Sequence, residues 1–240
     1  MTRLENIWKD TLSKIINEGH PHHKDDSPIR EYLGLHLKIP NPMTDLAFVF
    51  SNPSRKFVSW ARDGAFDIPE YPLKGDALAD YITSVDNIDL IYLTGDNDFV
   101  YTYPERLKAM HTVNEVGDTV TMNQIDVIVE RLLQNRGSNR AVATLYNCGL
   151  DGYRVDIPCL NWLQFTIRGD ELILHVMFRS NDFYGAWPSN MYFLTYVGLK
   201  VQEAINKKYP SVQFSYIDYH VSSAHIYETD MDMAKKIIEG

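Results

Sequence analysis

A stretch in the last third of the chain combines three side-chain types that suit chemistry on a small anionic substrate. Cys159 directly follows Pro158, Arg179-Ser180-Asn181-Asp182 begins twenty residues later, and Asn190 lies eleven residues after Arg179. A thiolate adds readily to an electron-poor ring carbon. A guanidinium binds phosphate oxygens as a fork of donors, and a carboxamide both donates and accepts. The combination suits a cysteine nucleophile that acts on a phosphorylated pyrimidine.

Each of these residues also has a purely structural interpretation. Cys159 taken alone is typical of a buried, inert thiol at the start of a strand, and Cys148 keeps that interpretation. Arg179 would suit a surface ion pair, His225 a hydrogen-bonded core histidine, and Asn190 a helix N-cap. The order of the motifs along the chain therefore has to decide between the structural and the functional interpretation of these residues.

The composition restricts the class of substrate. The 240 residues include 23 Lys and Arg against 32 Asp and Glu, which gives a formal net charge of -9. General affinity for nucleic-acid phosphates requires a net basic surface. The sequence therefore predicts a mononucleotide held in a local basic pocket, and no nucleic-acid polymer.

The cysteine content indicates a reducing compartment. Only two cysteines occur, whereas a secreted disulfide scaffold would carry more, and no signal peptide opens the chain. No apolar run approaches the length of a membrane span. We therefore expect a cytoplasmic protein with reduced thiols and no membrane association.

The elements that must position these residues can be predicted from periodicity. Residues 19–26 contain three histidines beside two aspartates, which could bind a metal, but the composition favours a solvated loop. Residues 43–75 are irregular, and Arg168-Gly169-Asp170 suits a hairpin turn. We predict helices over 3–18, 76–89, 122–135 and 191–207, strands over 31–39, 142–146, 162–167, 171–178 and 213–222, and a short terminal helix. This order favours one α+β domain over residues 1–240, with a mixed sheet flanked by helices.

The order of the polar motifs resembles that of a known family. Residues 122–227 match the thymidylate synthases and the related pyrimidine-nucleotide hydroxymethylases in spacing. The sequence of Met177–Asp182, together with Ala186-Trp187, looks most like that of the short members from methanogenic archaea and some phages. The motifs are Asn139-Arg140-Ala141-Val142, Tyr146-Asn147, Pro158-Cys159, Gln164-Phe165, Arg179-Ser180-Asn181-Asp182, Asn190 and Ser222-Ser223-Ala224-His225-Ile226-Tyr227.

The resemblance implies roles at the reacting base. Cys159 would attack C6 of the pyrimidine, and Tyr103 would assist proton removal at C5. Asn190 would pair with O4 and N3, which favours uracil, since cytosine-specific hydroxymethylases carry aspartate there. Asn147 and Asp182 would order water and the folate pterin.

The resemblance also implies which residues hold the phosphate and the sugar. Arg140, Arg179 and Ser180 would hold the 5'-phosphate, joined by Arg30 at the head of the first long strand. His225 and Tyr227 would bind the ribose 3'-hydroxyl. Asn181, within the same motif as Arg179, is also predicted to belong to the substrate site.

The activity implied is folate-dependent one-carbon transfer, with 5,10-methylenetetrahydrofolate or a related reduced pterin as donor. Methylation of dUMP to dTMP is the leading prediction. Hydroxymethylation by water capture and a nucleotide-binding homologue without catalysis are the alternatives. The resemblance further implies a homodimer built on sheet-to-sheet contact, with each active site borrowing from its partner.

Several positions depart from the family pattern. Asn139-Arg140 stands where two arginines are usual, and Phe178 stands where many synthases have glutamine. The usual catalytic glutamate is hard to find: Glu70 is the best candidate, with Asp63 and Asp67 as rivals. Typical synthases also continue into a C-terminal tail that closes over the folate. Without such a lid, water could intercept the methylene intermediate and give a hydroxymethyl product. The short archaeal members also end early, so the end at Gly240 does not decide between the two products.

Overall fold

The computed structural model describes residues 3–42 and 101–239 of the chain. The predicted irregular stretch 43–75 and the predicted helix 76–89 lie outside the described residues. Among the described residues, no helix is both long enough and apolar enough to cross a membrane.

The described residues form a mixed α+β fold, which confirms the predicted fold class. The helices are α1 Arg3–Glu18, α2 Tyr103–Lys108, α3 Gln124–Gln134, α4 Cys148–Asp151, α5 Trp187–Asn206 and α6 Met231–Glu239. The strands are β1 His20–Lys24, β2 Ser27–Pro40, β3 Met110–Val113, β4 Thr119–Met122, β5 Val142–Thr144, β6 Leu160–Arg168, β7 Glu171–Asp182 and β8 Gln213–Tyr227. Six of these strands make one sheet in the order β1-β2-β8-β7-β6-β5, and β3 and β4 form a separate hairpin.

One connection makes the sheet mixed. Strands β7 and β8 pair in parallel, whereas the other neighbouring strands of this sheet pair antiparallel. A parallel pair needs a crossover, and α5 provides it. This helix is buried on nearly every side, and Phe214 lies so close to Gly198 that a Cβ there would stand 2.3 Å from the Phe214 ring. The helix starts at Trp187, four residues before the start predicted for the helix 191–207, and Pro188 lies in its first turn.

Helix α1 confirms the prediction for residues 3–18. Its apolar residues recur at helical spacing, and Leu4, Trp8, Leu12 and Ile15 are each at most 4% exposed. The helix packs on β2 and β8, and Trp8 Nε1 donates a hydrogen bond of 2.6 Å to the carbonyl oxygen of Phe183. This contact fixes α1 against the segment that follows β7.

The prediction of a loop over residues 19–26 is wrong. His20–Lys24 pairs antiparallel with the start of β2, and Asp25 and Asp26 form a two-residue turn with positive φ angles of 48° and 66°. The sequence did not predict this strand because its side chains are mostly exposed. An edge strand exposed on both faces shows no alternation of apolar and polar residues.

Strand β8 is longer than predicted. It runs to Tyr227 rather than ending at 222, so His225 and Tyr227 lie on the strand itself. Asp182 pairs with His225 and Ser180 with Ser223 across the parallel pair. The ends of β7 and β8 therefore present their polar residues side by side.

Candidate active site

Cys159 lies directly before β6, and Arg179 of β7 lies beside it. The Arg179 backbone N–H donates to the Cys159 carbonyl oxygen at 2.9 Å. The Arg179 guanidinium donates from Nε to the carbonyl oxygen of Pro158 at 3.1 Å and from Nη2 to that of Ile157 at 2.7 Å. The thiol is partly exposed. The structure therefore places a fixed positive charge next to an accessible cysteine.

Two tyrosine hydroxyl groups bind the backbone close to Cys159, one on each side of it. The Tyr103 hydroxyl accepts a hydrogen bond from the Leu160 backbone N–H at 3.3 Å, and the Tyr101 hydroxyl donates to the Ile157 carbonyl oxygen at 3.0 Å. Burial, followed by electrostatic interaction with Cys159 and Asp156, raises the pKa of Tyr101. Sequence reasoning named Tyr103 and missed Tyr101, because no motif distinguishes Tyr101 from the other aromatic residues of the chain.

Tyr103 owes its position to a well-capped short helix. The Thr102 hydroxyl accepts from the Glu105 backbone N–H at 3.2 Å, and the Glu105 carboxylate accepts from the Thr102 N–H at 3.4 Å. This reciprocal capping box, with Pro104 in the first turn, defines where α2 begins. Tyr103 is the first residue of the helix, so the cap holds its hydroxyl near Cys159.

Two carboxamides form a hydrogen-bonded chain at the end of β7. Asn190 Nδ2 donates to Asn181 Oδ1 at 3.4 Å, and Asn181 Nδ2 donates to the buried Tyr219 hydroxyl. Asn190 lies in the first turn of α5, where its own N–H bonds to the Ala186 carbonyl oxygen at 3.0 Å. The N-cap position belongs to Ala186, so the structural interpretation of Asn190 as an N-cap is wrong.

His225 is fully buried between Ser180 and Lys24. Its Nδ1 lies 3.4 Å from the Ser180 hydroxyl, and its Nε2 lies 3.3 Å from Lys24 Nζ. Burial, with a contribution from the Lys24 charge, lowers the pKa of His225 to about 3. Because an ammonium group only donates, Nε2 accepts from Lys24, which leaves the proton on Nδ1 facing Ser180.

Lys24 is a site residue that sequence reasoning missed. Besides contacting His225, its ammonium group lies 5.6 Å from the centre of the Tyr227 ring, and His225 and Tyr227 meet edge to face at 5.3 Å. Lys24 comes from β1, the strand mistaken for a loop. No signal in the sequence connects it with His225, which follows 201 residues later.

Asp182 ends β7 and organises the turn before α5. One of its oxygens accepts from the backbone N–H groups of Tyr184 at 3.0 Å and Gly185 at 3.1 Å. Burial raises the pKa of Asp182 to about 6, although these two hydrogen bonds and the Lys24 charge oppose the rise. The carboxyl group is therefore mostly ionised at neutral pH and takes up a proton as the pH falls through about 6.

Arg30 lies one strand further out, on β2. It pairs with Ile226 of β8, and its Nη2 is 3.6 Å from a carboxylate oxygen of Glu228. Arg30 is the fourth residue of β2 rather than the head of the strand, because β2 begins at Ser27. Its predicted role in phosphate binding stays a prediction.

Arg140 lies at the opposite end of β6 from Cys159. The carbonyl oxygen of its neighbour Ala141 accepts from the Phe165 N–H at 2.9 Å. Six residues of extended strand separate Phe165 from Cys159, a distance of about 20 Å. An arginine side chain cannot span that distance, so Arg140 is not a cationic neighbour of Cys159 within one chain.

Asn147 caps the short helix α4. Its Oδ1 accepts from the N–H groups of Gly149 at 3.0 Å and Leu150 at 3.3 Å, which caps α4. Its Nδ2 donates to the His111 carbonyl oxygen at 3.0 Å. These contacts explain the residue type without a substrate. The candidates for the catalytic glutamate, Glu70, Asp63 and Asp67, lie outside the described residues.

The assembled groups suit covalent chemistry on a small anionic ligand that carries an amide-like ring. Cys159 offers a nucleophile, Arg179 and Lys24 offer positive charge, and Asn190 offers a donor and an acceptor. His225 stays neutral, and its two ring nitrogens link Ser180 to Lys24. A pyrimidine nucleotide presents the complementary set of groups: an anion, a hydroxylated sugar and a ring amide.

Comparison with known proteins agrees with this arrangement. Residues 65–239 match the thymidylate synthase family. A protein of Methanosarcina barkeri is 30% identical over 99% of this chain and 92% of its own length. Others from Methanothermobacter marburgensis and Methanocaldococcus jannaschii are 28% identical over 97% of this chain and 93% of their own length, and 37% identical over 70% and 72%, respectively. Each is described as "Putative thymidylate synthase". The chain therefore belongs to the thymidylate synthase family and is similar to its members from methanogenic archaea.

Proposed function

We propose that this protein transfers a one-carbon unit from a reduced folate to C5 of dUMP, with methylation to dTMP as the outcome. The observation that carries the proposal is the placement of Arg179 against Cys159, with the Arg179 guanidinium hydrogen-bonded to the two residues before the cysteine. A cysteine held in this way beside a charge that attracts phosphate is positioned to attack a bound nucleotide.

Cys159 opens the proposed reaction. Its thiolate adds to C6 of the uracil ring, which turns C5 into a nucleophilic enolate carbon. Arg179 and Ser180 hold the 5'-phosphate and thereby fix the ring relative to the sulfur. Tyr103, whose hydroxyl is hydrogen-bonded at Leu160, assists removal of the C5 proton. The final loss of the thiolate from C6 restores the free enzyme.

Asn190 selects uracil in this proposal. Its Nδ2 already gives one hydrogen to Asn181, and Asn181 is oriented by Tyr219. This leaves Oδ1 to accept from N3–H of the ring and the second hydrogen of Nδ2 to donate to O4. Cytosine presents the opposite polarity at both positions, so the same orientation disfavours it.

His225, Tyr227 and Lys24 form the sugar end of the site. The Tyr227 hydroxyl binds the ribose 3'-hydroxyl, and Nε2 of the neutral His225 imidazole exchanges its contact with Lys24 for the same hydroxyl when the nucleotide enters. Lys24 fixes the tautomer of His225 through Nε2. Arg30 joins the phosphate site from β2.

The residues around Asp182 fit a reduced folate. A partly buried carboxyl group that ionises near pH 6 complements the N–H donors of a pterin ring. When bound, 5,10-methylenetetrahydrofolate would supply the one-carbon unit and a hydride. Asp182 would hold the pterin ring, and Glu70 and Asn147 complete the proposed set of residues that order water near it.

The proposed assembly is a homodimer in the cytoplasm, in which residues 1–240 form one domain per chain. Arg140 supports it, because this arginine lies beside the end of β6 that is remote from Cys159, and about 20 Å of strand separates Phe165 at that end from Cys159. Contact between two sheets would let Arg140 of one chain complete the phosphate site of the other. The single arginine at this position then acts across the interface.

The decisive experiment is to incubate the protein with dUMP and 5,10-methylenetetrahydrofolate and to measure both tritium release from C5 and the mass of the product. We expect tritium release and the mass of dTMP. Cys159→Ala should lose both, whereas Cys148→Ala, at the exposed cysteine, should keep them.

The other outcomes are equally informative. A hydroxymethyl product would show that water captures the methylene intermediate, and hydroxymethylation would then replace methylation as the proposed reaction. Tight dUMP binding without tritium release would instead identify a nucleotide-binding homologue. Full turnover in Cys159→Ala would refute the thiolate mechanism itself.

A further inference from the structure

Arg106 of α2 and Asp151 of α4 form an ion pair inside the protein. Arg106 Nη2 lies 2.6 Å from Asp151 Oδ1, and the two side chains are 6% and 0% exposed. The second carboxylate oxygen, Oδ2, accepts from the Asn147 backbone N–H at 2.8 Å. Helix α2 also carries Tyr103, so the pair lies one helical turn from a residue of the proposed reaction.

The pair is a second contact between α2 and the segment around Cys159. Arg106 follows Tyr103 by three residues, so both side chains leave the same face of α2, about 4.5 Å apart along its axis. The Tyr103 hydroxyl accepts from the Leu160 N–H, directly after Cys159, and Arg106 binds α4, which precedes Cys159. A single contact leaves a short helix free to turn about its axis. Two contacts on one face fix its orientation.

Gln124 attaches the backbone of the same helix to the sheet. Its Nε2 donates to the carbonyl oxygens of Arg106 at 2.7 Å and Thr144 at 2.8 Å. Its Oε1 accepts from the Thr144 N–H at 2.9 Å. The backbone of Arg106 is therefore tied to β5, and its guanidinium extends to Asp151 from a fixed base.

We propose that Arg106 and Asp151 are positioning residues, whose ion pair keeps the Tyr103 hydroxyl at the Leu160 N–H and so fixes the separation between Tyr103 and Cys159. This role rests on the proposed function, in which Cys159 attacks C6 and Tyr103 acts at C5 of one ring. Those two carbons are bonded to each other, so both side chains must reach the ring together. A misplacement of about 1 Å slows such a reaction by about 100-fold.

Stability alone does not account for a charged pair at this place. Burial removes the hydration of both charges, and their mutual attraction offsets this loss only in part. Apolar residues of similar volume are often as stable in such positions or more stable. Apolar contact is non-directional, whereas the hydrogen-bonded pair of Arg106 and Asp151 holds one relative orientation of α2 and α4.

The first test measures hydrogen exchange of the Leu160 amide in the free protein by NMR. Arg106→Met with Asp151→Leu removes both charges together, so no unpaired charge stays buried. The Leu160 amide should then exchange about tenfold faster than in wild type. Tyr103→Phe removes the acceptor itself and should cause the same acceleration. The Phe165 amide, bonded to a carbonyl oxygen at the far end of β6, should keep its wild-type rate.

The second test compares turnover with binding. In Arg106→Met with Asp151→Leu, kcat for C5 tritium release should fall by about 10- to 100-fold, while the Kd for dUMP stays unchanged. Adding Tyr103→Phe should cause little further loss, because the pair acts through Tyr103. The matched control is Lys200→Met with Glu203→Leu, which replaces an ion pair near the surface of α5 and should keep the wild-type kcat.

The proposal is overturned by a wild-type exchange rate at Leu160 in the folded variant that lacks both charges. An acceleration that Phe165 shares equally would report a general loss of stability and would overturn it as well. So would a loss of turnover that adds in full to that of Tyr103→Phe. A wild-type protein without activity on dUMP refutes the proposed function instead, and the exchange at Leu160 then still decides whether the pair positions Tyr103.

A milder variant serves if the removal of both charges unfolds the protein. Asp151→Asn is nearly isosteric and keeps an acceptor for the Asn147 N–H, but it no longer attracts Arg106 by charge. It should also speed the exchange of the Leu160 amide relative to that of Phe165. An unchanged ratio of the two rates in folded Asp151→Asn overturns the proposal.

Discussion

At the scale of the residue, Asp182 shows how burial raises the pKa of a carboxyl group. Its pKa is raised to about 6 against an ordinary value of 3.8, so folding favours the protonated form. This contribution to stability is complete below pH 3.8 and is lost as the pH rises through 6. Asp182→Asn keeps an acceptor for Tyr184 and Gly185 but cannot ionise. The variant should therefore gain stability over wild type between pH 4 and pH 6, reaching about 3 kcal/mol, in urea unfolding followed at several pH values. A constant difference across that range would contradict the raised pKa.

At the scale of the element, the crossover helix α5 depends on one small residue. A Cβ at Gly198 would lie 2.3 Å from the Phe214 ring, in a helix whose other sides are also buried. Gly198→Ala should therefore destabilise the fold by about 1–3 kcal/mol, despite the better helix propensity of alanine. Thermal unfolding measures this loss. The control Gly137→Ala meets its nearest atom at 3.6 Å and should unfold near the wild-type temperature. Equal stability of Gly198→Ala and wild type would show that Phe214 moves aside at no cost.

At the scale of the whole molecule, the position of Arg140 distinguishes sites completed within one chain from sites shared between two. Cys159→Ala and Arg140→Ala should each be nearly inactive alone. In a symmetric dimer with shared sites, mixing them after co-refolding at equal amounts should restore about a quarter of the wild-type activity, because half of the dimers are mixed and each has one intact site. The C5 tritium-release assay measures the recovery. Sites completed within one chain would show no recovery at all.

Sequence periodicity and motif order predicted most of the described elements. The amphipathic helix α1 and the strand pair β6–β7 follow from apolar spacing and from a glycine-containing turn, so local signals sufficed. Strand β1 could not be predicted this way, since its residues are polar on both faces and their order comes from pairing with β2. Likewise, nothing in the sequence placed Lys24 beside His225, because their contact spans two strands that meet only in the sheet.

The sequence by itself determined the family, the α+β class and the order of the polar motifs, because those depend on residue types and on local spacing. The tertiary structure decided which of these residues share a site. Parallel pairing of β7 with β8 joins Ser180 to His225, and the start of β6 joins Cys159 to Arg179. The same sheet separates Arg140 from Cys159 by the length of β6. Strand order and register set these distances, and both arise from long-range pairing that no local pattern encodes.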